Sequence, residues 1–327
     1  MRAGLLRCLD LLAVVLLALC APAIVLVARV RSAAPLSRML LDRIGVSFVR
    51  HHYYEPIVFP EDLRKPLDED RCLPALDLNE ASQLELVRAF HYREELLSIP
   101  LESGAVGEFG YSNPNFGPGD AEMLYNLIRH FKPKRLIEIG SGYSTLMARL
   151  AIRRNTAEDS AYTCGHVCVE PYEQPWLENL GVEVVRELVE KRGTSFVAAL
   201  ECNDILFIDS SHVIRPQGDV LFEYLELLPR LAPGVLVHVH DIFTPKDYPA
   251  RWVLQDRKLW NEQYLLEAFL AFNSEFEVLI AANWLKHHHR DELENACPVA
   301  LQQPACEPGS FWLRRRPASN RQNAISA

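Results

Sequence analysis

The sequence predicts an α/β protein in which a doubly wound, mostly parallel sheet follows an apolar N-terminal segment. From Asp120 onward, helical patterns alternate with short apolar runs, which is typical of parallel strands joined by crossover helices. The last two runs follow each other without room for a full helix-bearing crossover, so they predict an antiparallel hairpin at the end of the sheet. A hydrophobic fraction of 49% with 24% charged residues is sufficient for a packed core.

Charge and cysteine usage exclude several functional classes. The net charge is −9, and the only dense basic run covers residues 314–316, so the nucleic-acid partner that a basic face would indicate is not expected. The eight cysteines contain no C-x-x-C pair, which excludes zinc-finger and thioredoxin-like sites. We expect reduced, structural thiols, with Cys168 buried, and a small-molecule substrate.

Residues 1–31 are predicted to be a membrane anchor or a signal segment. Residues 11–28 carry no charge, and a helix of this length can cross a bilayer. A cleaved signal peptide could end at the Ala-Pro-Ala sequence of residues 21–23, but the apolar run continues beyond it, which favours an uncleaved single-pass anchor. More basic residues follow the run than precede it, so the main domain is expected to be cytoplasmic.

Residues 32–118 are predicted to form an N-terminal extension with a helical cover. In residues 79–100, apolar side chains recur about once per helical turn, and Asn79 is the expected N-cap. The turn-rich stretch that follows is either a lid over the site or an ordinary connection. Its candidate lid residues are Tyr111, Asn113, Asn115 and Phe116.

Residues 119–316 are predicted to be the main domain, and residues 317–327 a flexible tail. Asp120 is the expected cap of the first core helix. The tract KHHHR at 286–290 is expected to lie in a solvated loop rather than in a metal site. The predicted strands cover residues 135–139, 166–171, 182–187, 204–209, 234–241, 276–283 and 310–315.

The glycine turn after the first strand indicates the chemistry of the ligand. Gly140 and Gly142 match a dinucleotide-binding turn, but Thr145 stands where the third glycine is expected. Glu138 would place a carboxylate near the phosphates, which is unfavourable for an anion and favourable for a cation. S-adenosylmethionine carries a sulfonium and an amine and has no phosphate. Glu170, which closes the second strand, is an acid suited to its ribose hydroxyls.

Five segments resemble a bacterial family of class I S-adenosylmethionine-dependent methyltransferases, which are Rossmann-like. They are LIEIGSGYST, VEP, ILFIDSSH, VHVHDIF and GSFWLRR, and the resemblance extends over residues 110–315. It implies a seven-stranded sheet with an antiparallel terminal hairpin. It also implies that Glu138, Gly140, Ser141 and Gly142 contact the methionine part of the donor and that Glu170 contacts its ribose.

Two routes are open for the removal of a proton from a hydroxyl acceptor. His212, which follows the fourth strand, has a side chain that could take the proton directly. Alternatively, Asp209 and Asp241 could hold magnesium, an arrangement that resembles catechol-type O-methyltransferases. Ile242 stands where those enzymes have an asparagine ligand, which disfavours the metal.

His238 and His240 point to the same face of the fifth strand. His238 is expected to be a hydrogen-bonded core residue, and His240, beside Asp241, is a candidate site residue. The resulting hypothesis is a membrane-anchored methyltransferase that acts on a hydroxyl of a small molecule or glycan. The alternatives are a nicotinamide-dependent oxidoreductase and a catalytically inactive, membrane-tethered binding protein.

Overall fold

The chain divides into two units in the computed structural model, which describes residues 2–30, 33–172 and 174–317. One unit contains residues 1–65 and 251–259, and the other contains residues 66–250 and 260–327. The predicted tail lies outside the described residues except for Pro317. The predicted cover, residues 32–118, is thus shared between the two units, and its part after residue 65 belongs to the unit that contains the sheet.

The described residues of the first unit contain two α-helices, α1 (Arg2–Val30) and α2 (Pro35–Ile44). Helix α2 starts at Pro35, where the missing backbone N–H is tolerated because the N–H groups of a first turn have no partner within the helix. It ends at Ile44, and Gly45 caps it with a φ of 71°. The 27 residues Gly4–Val30 are long and apolar enough to cross a membrane. A signal sequence meets the same criteria of length and composition.

The second unit is built on a seven-stranded sheet with the strand order β3-β2-β1-β4-β5-β7-β6. Strands β1 to β5 are parallel, and β7 is antiparallel to both of its neighbours, β5 and β6. The strands are β1 (Arg135–Ile139), β2 (Gly165–Val169), β3 (Glu183–Val185), β4 (Ile205–Ile208), β5 (Leu236–Val239), β6 (Phe276–Ala281) and β7 (Phe311–Arg315). The predicted mostly parallel sheet and its terminal hairpin are confirmed.

Helices cover both faces of the sheet. Strands β4 and β5 are buried along their whole length, as expected for central parallel strands. Side chains of α5, α6 and α9 pack on one face, and side chains of α7 and α8 pack on the other. The helices of this unit are α3 (Glu80–Arg88), α4 (Arg93–Ser98), α5 (Asp120–Phe131), α6 (Tyr143–Glu158), α7 (Asp219–Phe222), α8 (Glu262–Leu270), α9 (Ala282–His288) and α10 (Pro298–Leu301).

The two predicted helix caps have other roles. Asn79 precedes α3 with a φ of 55°, but its side-chain amide donates to the Val278 carbonyl at 3.0 Å instead of capping the helix. Asp120 is the first residue of α5, and its Oδ1 accepts the backbone N–H groups of Gly309 at 2.8 Å and Ser310 at 2.7 Å. Asn79 thus ties the start of α3 to β6, and Asp120 ties the start of α5 to the segment before β7, which a local sequence pattern does not reveal.

The histidine tract was predicted to be a solvated loop, and this prediction is wrong for most of it. Lys286, His287 and His288 lie in α9, and the Lys286 side chain is buried. Lys286 Nζ lies 2.6 Å from Glu307 Oε1, and His288 Nε2 lies 2.7 Å from Asp70 Oδ2. The helix packs on the sheet through Leu285, so these polar side chains meet acids of neighbouring segments.

The turn after β1 accepts only glycine at position 140, where φ is 78° and a Cβ would lie 1.8 Å from the Asp209 carbonyl oxygen. Gly140→Ala should therefore lower the free energy of unfolding by at least about 2 kcal/mol in a urea titration of the detergent-solubilised chain. Gly165→Ala is the control, because its Cβ would approach only the Lys134 carbonyl, at 3.8 Å. Equal losses in the two variants would contradict the predicted close contact.

Candidate functional site

A cavity of about 180 Å³ lies at the carboxyl ends of β1, β2 and β4. Ligands of open α/β sheets bind at this edge of the sheet. Four of the five predicted donor-binding residues line the cavity, together with residues of the predicted lid. The lining residues are Asn115, Phe116, Gly140, Ser141, Gly142, Tyr143, Ser144, Glu170, Gln174 and Asp209.

The first turn of α6 leaves polar groups and space for a ligand. A Cβ on Gly142 would meet only Gln174 Cγ, at 3.6 Å, so the space above this residue is open. Ser141 Oγ is buried and has no hydrogen-bond partner among the described residues. Buried hydroxyls are normally paired, so an unpaired one in a cavity wall fits a site that a polar ligand completes.

Glu170 lies in the cavity wall and fixes the glycine turn. Its Oε2 accepts the N–H of Ser141 at 3.2 Å, and its Oε1 accepts the N–H of Tyr172 at 2.9 Å. The carboxylate is therefore held in one orientation beside the predicted ligand. This position agrees with the expected contact to a ribose, which remains a prediction.

Glu138 does not line the cavity, contrary to the expectation that it contacts the donor. It is fully buried beneath the turn, where its Oε2 accepts the hydroxyls of Thr145 at 2.6 Å and Ser144 at 3.1 Å. Its Oε1 lies 2.9 Å from His166 Nε2. Both carboxylate oxygens thus already have protein partners, and Glu138 acts on the site through the residues that it holds.

Thr145 explains the missing third glycine. Its Oγ1 accepts the N–H of Gly142 at 3.2 Å and donates to Glu138. The hydroxyl therefore satisfies an N–H of the first helical turn and connects it to the buried acid. A glycine here would leave both groups without this partner.

The predicted catalytic residues meet around His212. Its Nε2 lies 3.2 Å from Asp209 Oδ1 and 3.7 Å from Asp241 Oδ2, and its Nδ1 lies 2.8 Å from Glu262 Oε2. Asp209 and His212 follow β4, and Asp241 follows β5. The ends of two adjacent parallel strands therefore bring them together, as the sequence predicted.

Glu262 was not predicted from the sequence. It is the first residue of α8, fifty positions after His212, and its side chain is completely buried. The N–H groups of Asn261 and Glu262 also donate to the His212 carbonyl, at 3.0 and 3.2 Å. These contacts fix α8 to the loop after β4, and no local motif indicates them.

In this cluster, neighbouring charges shift the pKa values of His212 and Asp209 in the direction opposite to burial. Burial lowers the pKa of His212, but hydrogen bonds to Asp209 and Glu262 outweigh burial and hold that pKa well above its usual value. Burial raises the pKa of Asp209, but the charge of His240 and the hydrogen bond from His212 lower it to about 2. At neutral pH the imidazolium of His212 is therefore paired with the buried Glu262 and with Asp209, which is partly exposed.

The backbone at the site is strained at two residues. His212 has a φ of 59° and Asp241 a φ of 57°, in the left-handed region that side-chain-bearing residues seldom adopt. Gly309 packs directly against Asp241, because a Cβ there would lie 2.9 Å from the Asp241 Cα. Strain of this kind is concentrated at functional sites, where the surrounding structure maintains it.

His238 is a core residue as expected, whereas the role of His240 in the site remains a prediction. His238 Nε2 lies 3.1 Å from Ser310 Oγ, and its ring stacks on Phe207 at 4.0 Å, so it is a core residue. His240 Nε2 lies 3.5 Å from Asp241 Oδ1, and its ring lies 5.3 Å from that of Phe116. His240 therefore lies between the cavity wall and the acids.

The four candidate lid residues have different positions and roles. Asn115 and Phe116 line the cavity, whereas Tyr111 is buried with its hydroxyl 3.2 Å from the Leu96 carbonyl. Asn113 organises the turn, because its Oδ1 accepts the N–H of Phe116 at 2.7 Å. This segment therefore contributes wall residues, and its closure over a ligand remains untested.

The surroundings of Asp209 and Asp241 are unfavourable for magnesium. Two carboxylates with water can hold this ion, but both face His212, whose raised pKa favours a positive charge that would repel a cation. Ile242 is buried in the core and offers no oxygen in place of the asparagine of catechol-type enzymes. Proton removal by His212 and metal-assisted removal both remain predictions.

A second cluster has metal-ligand spacing but is explained by hydrogen bonding. One ligating atom each of Glu138, His166 and Cys168 lies within 4.8 Å of the others. Burial and the nearby Glu138 raise the pKa of Cys168, which keeps it a thiol rather than the thiolate that binds metals. Glu138 and His166 are already paired with each other.

A family described as a methyltransferase domain matches residues 137–242, which include most of β1, the glycine turn and β2 to β5. The match supports the class I S-adenosylmethionine-dependent methyltransferase family that the sequence motifs indicated. An uncharacterized protein of Archaeoglobus fulgidus is 26% identical over 179 residues, which cover 50% of this chain and 79% of that protein. The match to a methyltransferase domain supports S-adenosylmethionine as the ligand of the cavity.

Thr145→Val should lower the free energy of unfolding by about 1–3 kcal/mol, because the variant leaves the buried Glu138 carboxylate and the Gly142 N–H without a shared partner. Thr145→Ser keeps the hydroxyl and should retain most of the stability. Both are measured by urea denaturation. If the valine variant is as stable as the wild type, the hydroxyl bridge contributes nothing.

The raised pKa of His212 predicts a pH-dependent stability. The protonated side chain stabilises the fold fully below its unfolded pKa of about 6.5, and this contribution is lost as the pH rises through the higher folded-state pKa. The unfolding free energy of the wild type minus that of His212→Asn should therefore fall as the pH rises above about 6.5. A difference that stays constant with pH would contradict the raised pKa.

Proposed function

We propose that the protein transfers the methyl group of S-adenosylmethionine to a hydroxyl oxygen of a small molecule or glycan, with His212 as the group that takes the hydroxyl proton. The observation that carries the proposal is the position of His212 Nε2, 3.2 Å from Asp209 Oδ1, where Asp209 also lines the donor cavity. A base at this position lies at the same sheet edge as the cavity. No nucleic-acid partner is proposed.

When bound, the donor supplies an electrophilic methyl group on a sulfonium. The protein residues align the acceptor and remove its proton, since methyl transfer is an in-line displacement that depends mainly on positioning. Glu262 accepts the Nδ1–H of His212. Because the pKa of His212 is raised, Nε2 must first lose its proton to solvent, and only a chain with the neutral ring can accept the hydroxyl proton at Nε2, so the rate should rise with pH. As Nε2 takes the proton, Asp209 and Asp241 stabilise the resulting imidazolium.

We further propose that α1 is an uncleaved single-pass anchor and that the methyltransferase domain is cytoplasmic. The length and composition of residues 4–30 and the excess of basic residues after the apolar run support this topology. Fractionation of cells that express a C-terminally tagged chain, followed by protease treatment of intact cells, tests it. A tag that is released into the medium or is digested outside the cell would contradict the topology.

The match to a methyltransferase domain supports a methyl donor over the nicotinamide alternative. An inactive binding protein on the same fold would have no need for a strained His212 that is surrounded by three carboxylates. Burial of such charged groups is costly and is typical of active sites.

An acceptor identified by screening metabolite and glycan fractions with labelled donor allows a direct test. With this acceptor, His212→Asn should lower kcat by about 10²-fold or more, because the hydroxyl proton loses its acceptor. His287→Asn is the control, since His287 lies on α9, is paired with Glu307 and does not line the cavity. An unchanged kcat in the His212 variant would contradict the proposal.

Glu262→Gln tests the positioning role of Glu262. Its carboxylate raises the pKa of His212, so the variant should shift the acidic limb of the pH–rate profile to lower pH. A reduced rate with an unshifted profile would show that Glu262 serves only the stability of the fold.

A further inference from the structure

A second cavity, of about 580 Å³, lies along α6 on a different side from the donor site. One face of the helix forms one wall, and the end of α4 with residues 99–109 forms the opposite one. The helix residues recur at the spacing of a single helical face. They are Leu146, Arg149, Leu150, Arg153, Arg154 and Ala157.

The three arginines of this wall have no acidic partner in close contact among the described residues. In the described part of the chain, none of them forms an ion pair within 4.0 Å, and the Nε of Arg149 is buried without a hydrogen-bond partner. Arg129, on the neighbouring α5, is by contrast paired with Glu95. Burial and the charge of Arg153 lower the pKa of Arg149, as expected where positive charges accumulate.

The two acids of the cavity do not neutralise this group. Glu95 accepts the Tyr125 hydroxyl at 2.5 Å and pairs with Arg129 at 3.1 Å, so its charge is already balanced. Glu108 is exposed in the opposite wall and forms no ion pair with the three arginines among the described residues. The wall of α6 therefore retains a positive charge.

The other lining residues are largely apolar and include Ile99, Phe109 and Leu180. A volume of about 580 Å³ lies within the range of small-molecule sites, and it exceeds what an inorganic ion occupies. Arginine side chains bind phosphate through paired hydrogen bonds. Arg149 is partly buried and its Nε has no partner, whereas Arg153 and Arg154 are exposed, so all three can reach a ligand in the cavity.

We propose that this cavity binds a phosphate ester with an apolar or aromatic body, the phosphate against Arg149, Arg153 and Arg154. Such an ester could be a free metabolite or the headgroup of an anionic lipid. The site is separate from the donor cavity, whose wall includes Tyr143 and Ser144 at the start of α6. The inference therefore goes beyond the proposed methyl transfer and does not depend on it.

Isothermal titration of the full chain in phosphatidylcholine nanodiscs with phenyl phosphate tests the site. Phenyl phosphate should bind at least about tenfold more tightly than inorganic phosphate, because its ring buries apolar surface, and benzyl alcohol should not bind. Arg153→Gln and Arg149→Gln should each weaken binding by about tenfold, since each removes a charge-assisted hydrogen bond. Arg230→Gln, which removes an exposed arginine elsewhere, is the matched control.

Ala157→Trp fills the cavity without a change of charge and should also abolish binding, which covers the case of an arginine variant that fails to fold. Replacement of part of the phosphatidylcholine by phosphatidic acid distinguishes the two sources: a lipid ligand should raise the thermal stability of the wild type and not that of the Arg153 variant. The proposal is wrong if neither phenyl phosphate nor phosphatidic acid has an effect, or if the arginine variants respond like the control.

Discussion

The close contact between Gly140 and the end of β4 determines the geometry of the whole site. The Asp209 carbonyl lies where a side chain at position 140 would have to be, and the Asp209 N–H donates to Ile139 at 2.8 Å. The glycine turn that lines the donor cavity and the acid beside His212 are therefore fixed to each other. The hydroxyl bridge from Gly142 through Thr145 to Glu138 holds the same turn from below.

Charge is the second constraint on the site. His212 is surrounded by Asp209, Asp241 and Glu262, and two of these four residues adopt left-handed backbone conformations. The fold maintains this arrangement because parallel strands end at one edge and α8 approaches the same edge. The cost in strain and desolvation is compensated by ion pairing, so the site and the stability of the fold share the same contacts.

Sequence periodicity was sufficient for the sheet, because buried strands and their short connections leave local patterns. It also placed Asp209, His212 and Asp241 together, since the ends of adjacent parallel strands meet. Glu262 and the role of Asp120 in holding the segment before β7 were not predictable, because each contact joins residues far apart in sequence. Glu138 was placed in the ligand site because its position relative to the glycines is local information, whereas its burial is not.

Calorimetric titration with S-adenosylhomocysteine and NAD tests the central claim most directly, because it needs no acceptor. The structure predicts that S-adenosylhomocysteine binds at one site per chain, that Glu170→Ala weakens this binding, and that NAD produces no heat. Absence of binding by S-adenosylhomocysteine, or tighter binding of NAD, would contradict the assignment of the cavity to a methyl donor.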